Sequence, residues 1–281
     1  MDKEWDGRPD PELLLRQNFP EGESDGKGKL KIFFGYAAGV GKTYAMLDAA
    51  RQEKEAGRDV VAGYIEPHDR PDTMALLDGL EFLPPRTVGY KGIVLREFDL
   101  DAALIRRPDL ILVDELAHTN AQGSRHRKRC QDVTELLDAG INVYTTVNVQ
   151  HLESLHDIVA SITHVRVSER IPDSVFDNAS QVELVDISPE ELRQRLEEGK
   201  IYHKNQADKA KISFFTLENL SALREIALRR TADRVNREVV REREAAGKDY
   251  YTGEHVLVCL SPSPTNARVI RTAARMAGAF R

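Results

Sequence analysis

Leu30-Lys-Ile-Phe-Phe-Gly-Tyr-Ala-Ala-Gly-Val-Gly-Lys-Thr43 is an apolar run that leads into a glycine-rich turn ending in Gly41-Lys42-Thr43. The string predicts a short buried strand, a tight turn and then a helix. In that arrangement the backbone N–H groups of the turn face inward, and the positive end of the helix meets the same anion. A lysine at 42 reaches the β- and γ-phosphates of a nucleotide, and the Thr43 hydroxyl is a Mg²⁺ ligand. Gly39, Val40, Gly41, Lys42, Thr43 and Tyr44 are therefore the candidate cofactor-binding residues, with ATP and Mg²⁺ as the cofactors. The strict G-x-x-x-x-G-K-[ST] spacing asks for glycine at 36, where this chain has Tyr36, and Gly35 comes one place early. A plain strand-to-helix turn that only needs positive φ would carry glycines too.

A second motif argues against the plain turn. Asp109-Leu-Ile-Leu-Val-Asp-Glu115 reads as a short apolar strand ending in paired carboxylates. Asp114 belongs on the Mg²⁺ side, usually through water, and Glu115 is placed to polarise an attacking water if hydrolysis occurs. An acid at a strand end also serves as a helix cap. The two motifs in this order point to a nucleoside triphosphate.

Composition sets the frame. The chain has 281 residues, 41% hydrophobic and 31% charged, with a net charge of −6. That is the composition of a globular protein with a substantial core in one large domain or two smaller ones. The acidic balance speaks against a dedicated nucleic-acid binder. Cys130 and Cys259 are too few and too isolated for a disulfide framework, so a reducing cytosol is expected. The acidic start Met1-Asp-Lys-Glu-Trp-Asp6, and the lack of any run of 18 apolar residues, predict neither signal peptide nor membrane span. Residues 1–28 read as a polar tail.

From 29 to 245 the pattern predicts an α/β domain: a mostly parallel sheet with helices on both faces. Strands are expected at 30–35, 59–65, 109–114, 141–147 and 181–187. Helices are expected at 42–56, 71–80, 99–107, 129–139 and 150–162. Gly57 and Gly140 suit helix C-termini, while Asp99 and Ser188, the latter followed by Pro189, suit N-caps. The segment 81–98 is either an extra strand or a loop. The stretch 216–244 is helical; 217–228 reads as packed on the sheet, and 229–246 as a connector, because its apolar stripe thins. A strand at 255–260 and a helix at 265–279 then open a second α/β unit within 250–281.

In open parallel sheets, ligands bind beyond the carboxyl ends of the strands. Glu66, His118 and Asn148 all follow predicted strands, so Glu66 can share metal and water duties while His118 and Asn148 sense a γ-phosphate. Each residue type is also common in loops for turn chemistry alone. The basic run Gly123-Ser-Arg-His-Arg-Lys-Arg129 has three readings. Arg125 and its neighbours contact a phosphate, or bind an acidic partner or nucleic acid, or form a solvated loop before a helix. The histidines show no metal-ligand spacing.

Five strings carry a family resemblance: Phe34-Gly-Tyr-Ala-Ala-Gly-Val-Gly-Lys-Thr-Tyr-Ala-Met46, Asp114-Glu-Leu-Ala-His-Thr-Asn120, Gly123-Ser-Arg-His126, Thr145-Thr-Val-Asn-Val-Gln-His-Leu-Glu-Ser154 and Leu223-Arg-Glu-Ile-Ala-Leu-Arg-Arg-Thr-Ala-Asp-Arg-Val235. Together they resemble the N-terminal cytoplasmic region of the KdpD family of osmosensitive potassium-uptake sensor histidine kinases, over residues 28–240. That family's phosphate loop also lacks the first glycine. Residues 255–281 resemble the opening of the universal-stress-protein-like domain that follows in the family. The resemblance implies a cytoplasmic, ATP-binding, P-loop NTPase-like module of a two-component sensor that responds to potassium limitation or osmotic stress. It implies as partners the membrane and kinase parts of the sensor, in a dimer, and indirectly the response regulator. Ser261-Pro-Ser263 is similar to a start used by some members to bind cyclic di-AMP. The resemblance also implies that phosphotransfer chemistry lies outside these 281 residues. A stand-alone ATPase or small-molecule kinase, with Glu115 or Glu66 as base, is the alternative.

Overall fold

A computed structural model describes residues 26–66, 71–90, 93–201, 214–245, 257–260 and 266–279. In chain order the strands are β1 Leu30–Gly35, β2 Val60–Tyr64, β3 Glu81–Phe82, β4 Arg86–Tyr90, β5 Ile93–Glu97, β6 Leu110–Val113, β7 Asn142–Asn148 and β8 Gln181–Leu184. The helices are α1 Lys42–Glu55, α2 Pro71–Ala75, α3 Leu100–Arg106, α4 Arg129–Asp138, α5 His156–Thr163, α6 Asp173–Asp177, α7 Pro189–Glu197, α8 Leu217–Ala245 and α9 Asn266–Ala279. Six strands form one sheet in the order β3-β2-β6-β7-β1-β8, and every ladder in it is parallel. The order inserts β7 between β1, which leads into the glycine-rich turn, and β6, which ends in the acidic pair.

The period-2 alternation along each strand sends side chains to two different layers. Phe33, Val60, Ala62, Leu110, Leu112 and Tyr144 face α1, which contributes Met46, Leu47 and Ala50. Ile32, Phe34, Val61, Ile111, Val113 and Val143 face the other layer, built from α3, α4, α5, α7 and α8. The expected α/β architecture with helices on both faces is thus present. No described helix is long and apolar enough to cross a membrane.

Several local expectations need correction. Residues 150–162 do not form one helix: two 3₁₀ turns, Val149–His151 and Glu153–Leu155, precede α5. The helix expected over 71–80 stops at Ala75 and continues as turns. The ambiguous 81–98 segment contains β3 and an antiparallel hairpin, β4–β5, whose strands bond to each other and not to the main sheet. Residues 26–28, assigned to the polar tail, already dock: the Gly28 N–H donates to Leu137 O at 2.7 Å, and a Cβ at 28 would lie 2.0 Å from Ile141 O.

The connector assignment for 229–246 changes over 229–237, and residue 246 lies outside the described residues. Leu220, Leu223, Ala227, Arg230 and Arg234 of α8 are all buried, so the packed stripe continues past 228 with arginine in place of leucine. Arg230 pairs with Asp177 at 2.7 Å, Arg237 pairs with Asp177 at 2.8 Å, and Arg234 donates to Phe176 O and Asp177 O at 3.0 and 2.8 Å. Residues 257–260 are not a strand; Leu257 is 91% exposed, with no ladder partner among the described residues. Ser261 and Ser263 lie outside the described residues.

Candidate functional site

The turn after β1 is shaped by contacts that only glycine permits. A Cβ on Gly35 would lie 2.6 Å from Val40 Cγ2, so the early glycine is the one that lets the loop fold back on its strand. Tyr36 is fully buried instead, its hydroxyl donating to Ile187 O at 3.2 Å. Burial, reinforced by Asp186, holds that phenol well above its usual pKa. Gly39 and Gly41 have φ of 88° and 106°, left-handed values that suit residues without a Cβ. Ala45 N–H donates to Gly41 O at 2.9 Å, so α1 starts directly at the turn, with its positive end toward the loop. Lys42 is buried, and its ammonium donates to Ala37 O at 3.0 Å.

Opposite this turn, Asp114 is 1% exposed and both of its carboxylate oxygens accept hydrogen bonds. Oδ2 accepts from the Thr43 hydroxyl at 3.1 Å; Oδ1 accepts from Glu115 N–H at 3.0 Å and from the Thr146 hydroxyl. Glu115 follows with φ of 56°, a left-handed conformation that costs a non-glycine residue roughly 1–2 kcal/mol. That bend turns its side chain into the cleft. Burial first, then the charges of Asp114 and Glu66, push the Glu115 carboxyl up to about 7.

A cleft of about 300 Å³ joins these parts. Gly39, Gly41, Lys42 and Thr43 line one side; Asp114, Glu115, His118, Thr146 and Asn148 line the other. Gln150, His151, Glu169 and Ile201, outside the expected site, also line it. The Asn148 and Gln150 side-chain oxygens are buried there without hydrogen-bond partners among the described residues. His151 donates from Nδ1 to Glu169 O at 2.9 Å, and burial holds its pKa below the usual value, so a neutral imidazole faces the cleft.

Other candidates sit apart from the cleft lining. Val40 packs against Gly35, and Tyr44 points outward, 47% exposed. Glu66 accepts from the Tyr64 hydroxyl at 2.7 Å and reaches Glu115 through its charge. Arg125 pairs with Asp101 and Glu135, acids on α3 and α4, and is not among the cleft-lining residues. The last residue of that run behaves differently. Arg129 is fully buried, donates to Asp114 O at 3.0 Å and stacks 4.1 Å from the Tyr64 ring centroid. Its signal in the sequence is its register with Val133 and Leu136, on the buried face of α4.

Comparison with known proteins adds identity to this geometry. Residues 26–235 match the family described as KdpD, the osmosensitive K⁺ channel His kinase sensor domain. The chain is similar to the sensor protein KdpD of Clostridium acetobutylicum, 60% identical over 97% of this chain and 31% of that protein. It is also similar to the sensor protein KdpD of Escherichia coli, 52% identical over 96% of this chain and 30% of that protein. A putative sensor protein KdpD of Synechocystis is 46% identical over 89% of this chain and 67% of that protein. The chain therefore spans about a third of the length of the first two relatives. With a match of that extent around the cleft, the chain belongs to the KdpD sensor-domain family.

Proposed function

We propose that the chain is the ATP-binding regulatory module, of P-loop NTPase type, in a two-component sensor kinase that controls potassium uptake under potassium limitation or osmotic stress. The observation that carries this reading is the meeting of Thr43 with Asp114 across a cleft floored by Gly39–Lys42. The residues fit a magnesium nucleotide. Lys42 and the first-turn amides of α1 supply positive potential for phosphate, while Thr43 and Asp114 supply the oxygen ligands that Mg²⁺ prefers. Bound Mg²⁺ would neutralise charge between the terminal phosphates. Glu115, half-buried and close to neutral pH in its titration, holds or accepts a proton from water at the cleft end. Asn148 and His118 line the same cleft and would be the residues to meet a third phosphate.

In this reading the membrane-spanning and kinase parts of the sensor are partners, the whole works as a dimer in the cytoplasm and membrane, and the response regulator is reached through it. Residues 250–281 begin a universal-stress-protein-like unit, with α9 as its first helix. The share of the KdpD relatives covered by this chain favours a part of a larger sensor over a stand-alone ATPase.

Thermal unfolding with Mg-ATP tests the proposal. Ligand at about 100 times its Kd stabilises a protein by roughly 2.7 kcal/mol. Wild type shifts and Lys42→Ala loses most of the shift. Equal shifts in both proteins would place the nucleotide elsewhere.

A further inference from the structure

Glu97 is a buried carboxylate that none of the nucleotide chemistry above uses. It is the last residue of β5, only 5% exposed, and it contacts three residues, of which His118 lines the cleft. The His118 Nε2 lies 3.2 and 3.1 Å from its two oxygens. Ala121 N–H donates to Oε1 at 2.9 Å, and Arg129 donates to Oε2 at 3.4 Å. Burial alone would raise its pKa, but the hydrogen bond and charge of His118, the Ala121 amide and the Arg129 charge outweigh it and hold the carboxyl below the usual range. Glu97 is thus an anion, and a carboxylate only accepts, which fixes the proton of His118 on Nε2. The other ring nitrogen, Nδ1, is 3.8 Å from Glu169 Oε1, outside hydrogen-bond range, on the wall of the cleft.

The same carboxylate terminates a hairpin that forms a sheet of its own among the described residues. β4 and β5 bond only to each other within the sheets, and Val94 is 71% exposed. A two-stranded hairpin is marginal in water without further support. Its base is the firm end: Glu97 and Phe98 are buried together beside the 115–121 turn.

We propose that Glu97 is a positioning residue for recognition of the third phosphate, holding His118 with Nδ1 toward the cleft end and so tying the β4–β5 hairpin to the state of the nucleotide. The proposal rests on the reading of the cleft as a nucleotide site. A ligand with a γ-phosphate meets the Nδ1 edge of His118, and the Glu97 carboxylate holds the ring in place from behind through Nε2. A diphosphate ends short of it. The hairpin is drawn tight at its base in the first case and not in the second.

The test measures affinities for a non-hydrolysable ATP analogue and for ADP, both with Mg²⁺, in wild type, Glu97→Gln, His118→Gln and Lys42→Ala. Deuterium uptake over residues 86–97 is followed in parallel. Glu97→Gln is expected to bind ADP within about twofold of wild type and the triphosphate about tenfold more weakly, the scale of one charged hydrogen bond. His118→Gln, which leaves every buried charge in place, loses the same preference. The hairpin is protected by the triphosphate and not by ADP in wild type, and equally by both in the two variants. Retention of the triphosphate preference in either variant, or identical wild-type uptake with the two nucleotides, overturns the proposal. Lys42→Ala reports separately: if it binds both nucleotides as wild type does, the cleft assignment itself has failed.

Discussion

The Thr43 hydroxyl and Asp114 Oδ2 lie 3.1 Å apart although 71 residues separate them in sequence. β6 and β1 are not neighbours in the sheet; β7 stands between them and adds the Thr146 hydroxyl to the same carboxylate. The acid is therefore held in place from three directions before any ligand enters. Its remaining capacity points toward Thr43, where a metal would take the place of the hydrogen bond.

Asp114→Asn should uncouple nucleotide affinity from Mg²⁺. ATP affinity in Mg²⁺ is expected to drop at least tenfold, about 1.4 kcal/mol, while affinity in EDTA stays near the wild-type value. Titration calorimetry in both buffers decides it. An unchanged magnesium response would remove Asp114 from the metal side.

Glu115 carries a pH signature. Its carboxyl titrates near 7 in the folded protein and at an ordinary 4.5 when exposed. Between those values the folded chain holds a proton that the unfolded chain has released, so stability falls as pH rises through that window. Glu115→Gln cannot ionise and escapes the loss. The variant should exceed wild type by about 3 kcal/mol at pH 8 and match it near pH 4.5, as read by denaturant titration. Parallel curves across the range would refute the burial argument.

Gly35→Ala should cost about 1–3 kcal/mol, because the new methyl meets Val40 Cγ2 at 2.6 Å and Lys42 Cδ at 3.1 Å inside a packed turn. Gly89→Ala is the control. Nothing lies within 4 Å of a Cβ there, so its change should stay within about 0.5 kcal/mol. Comparable losses at both positions would mean that the close approach at 35 is not what constrains it.

Arg234→Met should destabilise by about 2–4 kcal/mol, since it strips the donors from Phe176 O and Asp177 O in a buried setting. Arg229→Ala, three-quarters exposed and paired with Glu225 on the same helix, should change stability by less than about 0.5 kcal/mol. Urea denaturation of both variants makes the comparison.

Much of this was legible in the residues. The parallel sheet followed from short apolar runs spaced by amphipathic helices, and Asp99 and Ser188 do cap α3 and α7 through their side chains. What stayed hidden depends on tertiary placement. His151 and Glu169 face the cleft because 3₁₀ turns and a long loop bring them there, and neither leaves a periodic trace. Arg129 looked like part of a solvated basic run because charge composition outweighed its register on α4. Arg230 and Arg234 were misjudged for the same reason: an arginine that continues a leucine stripe reads as the end of the stripe until its carbonyl and carboxylate partners are known. Glu97 gave no signal, since its three contacts come from segments 21, 24 and 32 residues away.

The clasp between α8 and α6 has a mechanical corollary. Pulling the long helix away before residue 228 would tear open oil-like packing around Leu220 and Leu223. Beyond it, the joint is made of guanidinium groups that water can serve almost as well once they are released. The helix is thus welded at its near end and buttoned at its far end, and force arriving from the C-terminal side will undo the buttons first.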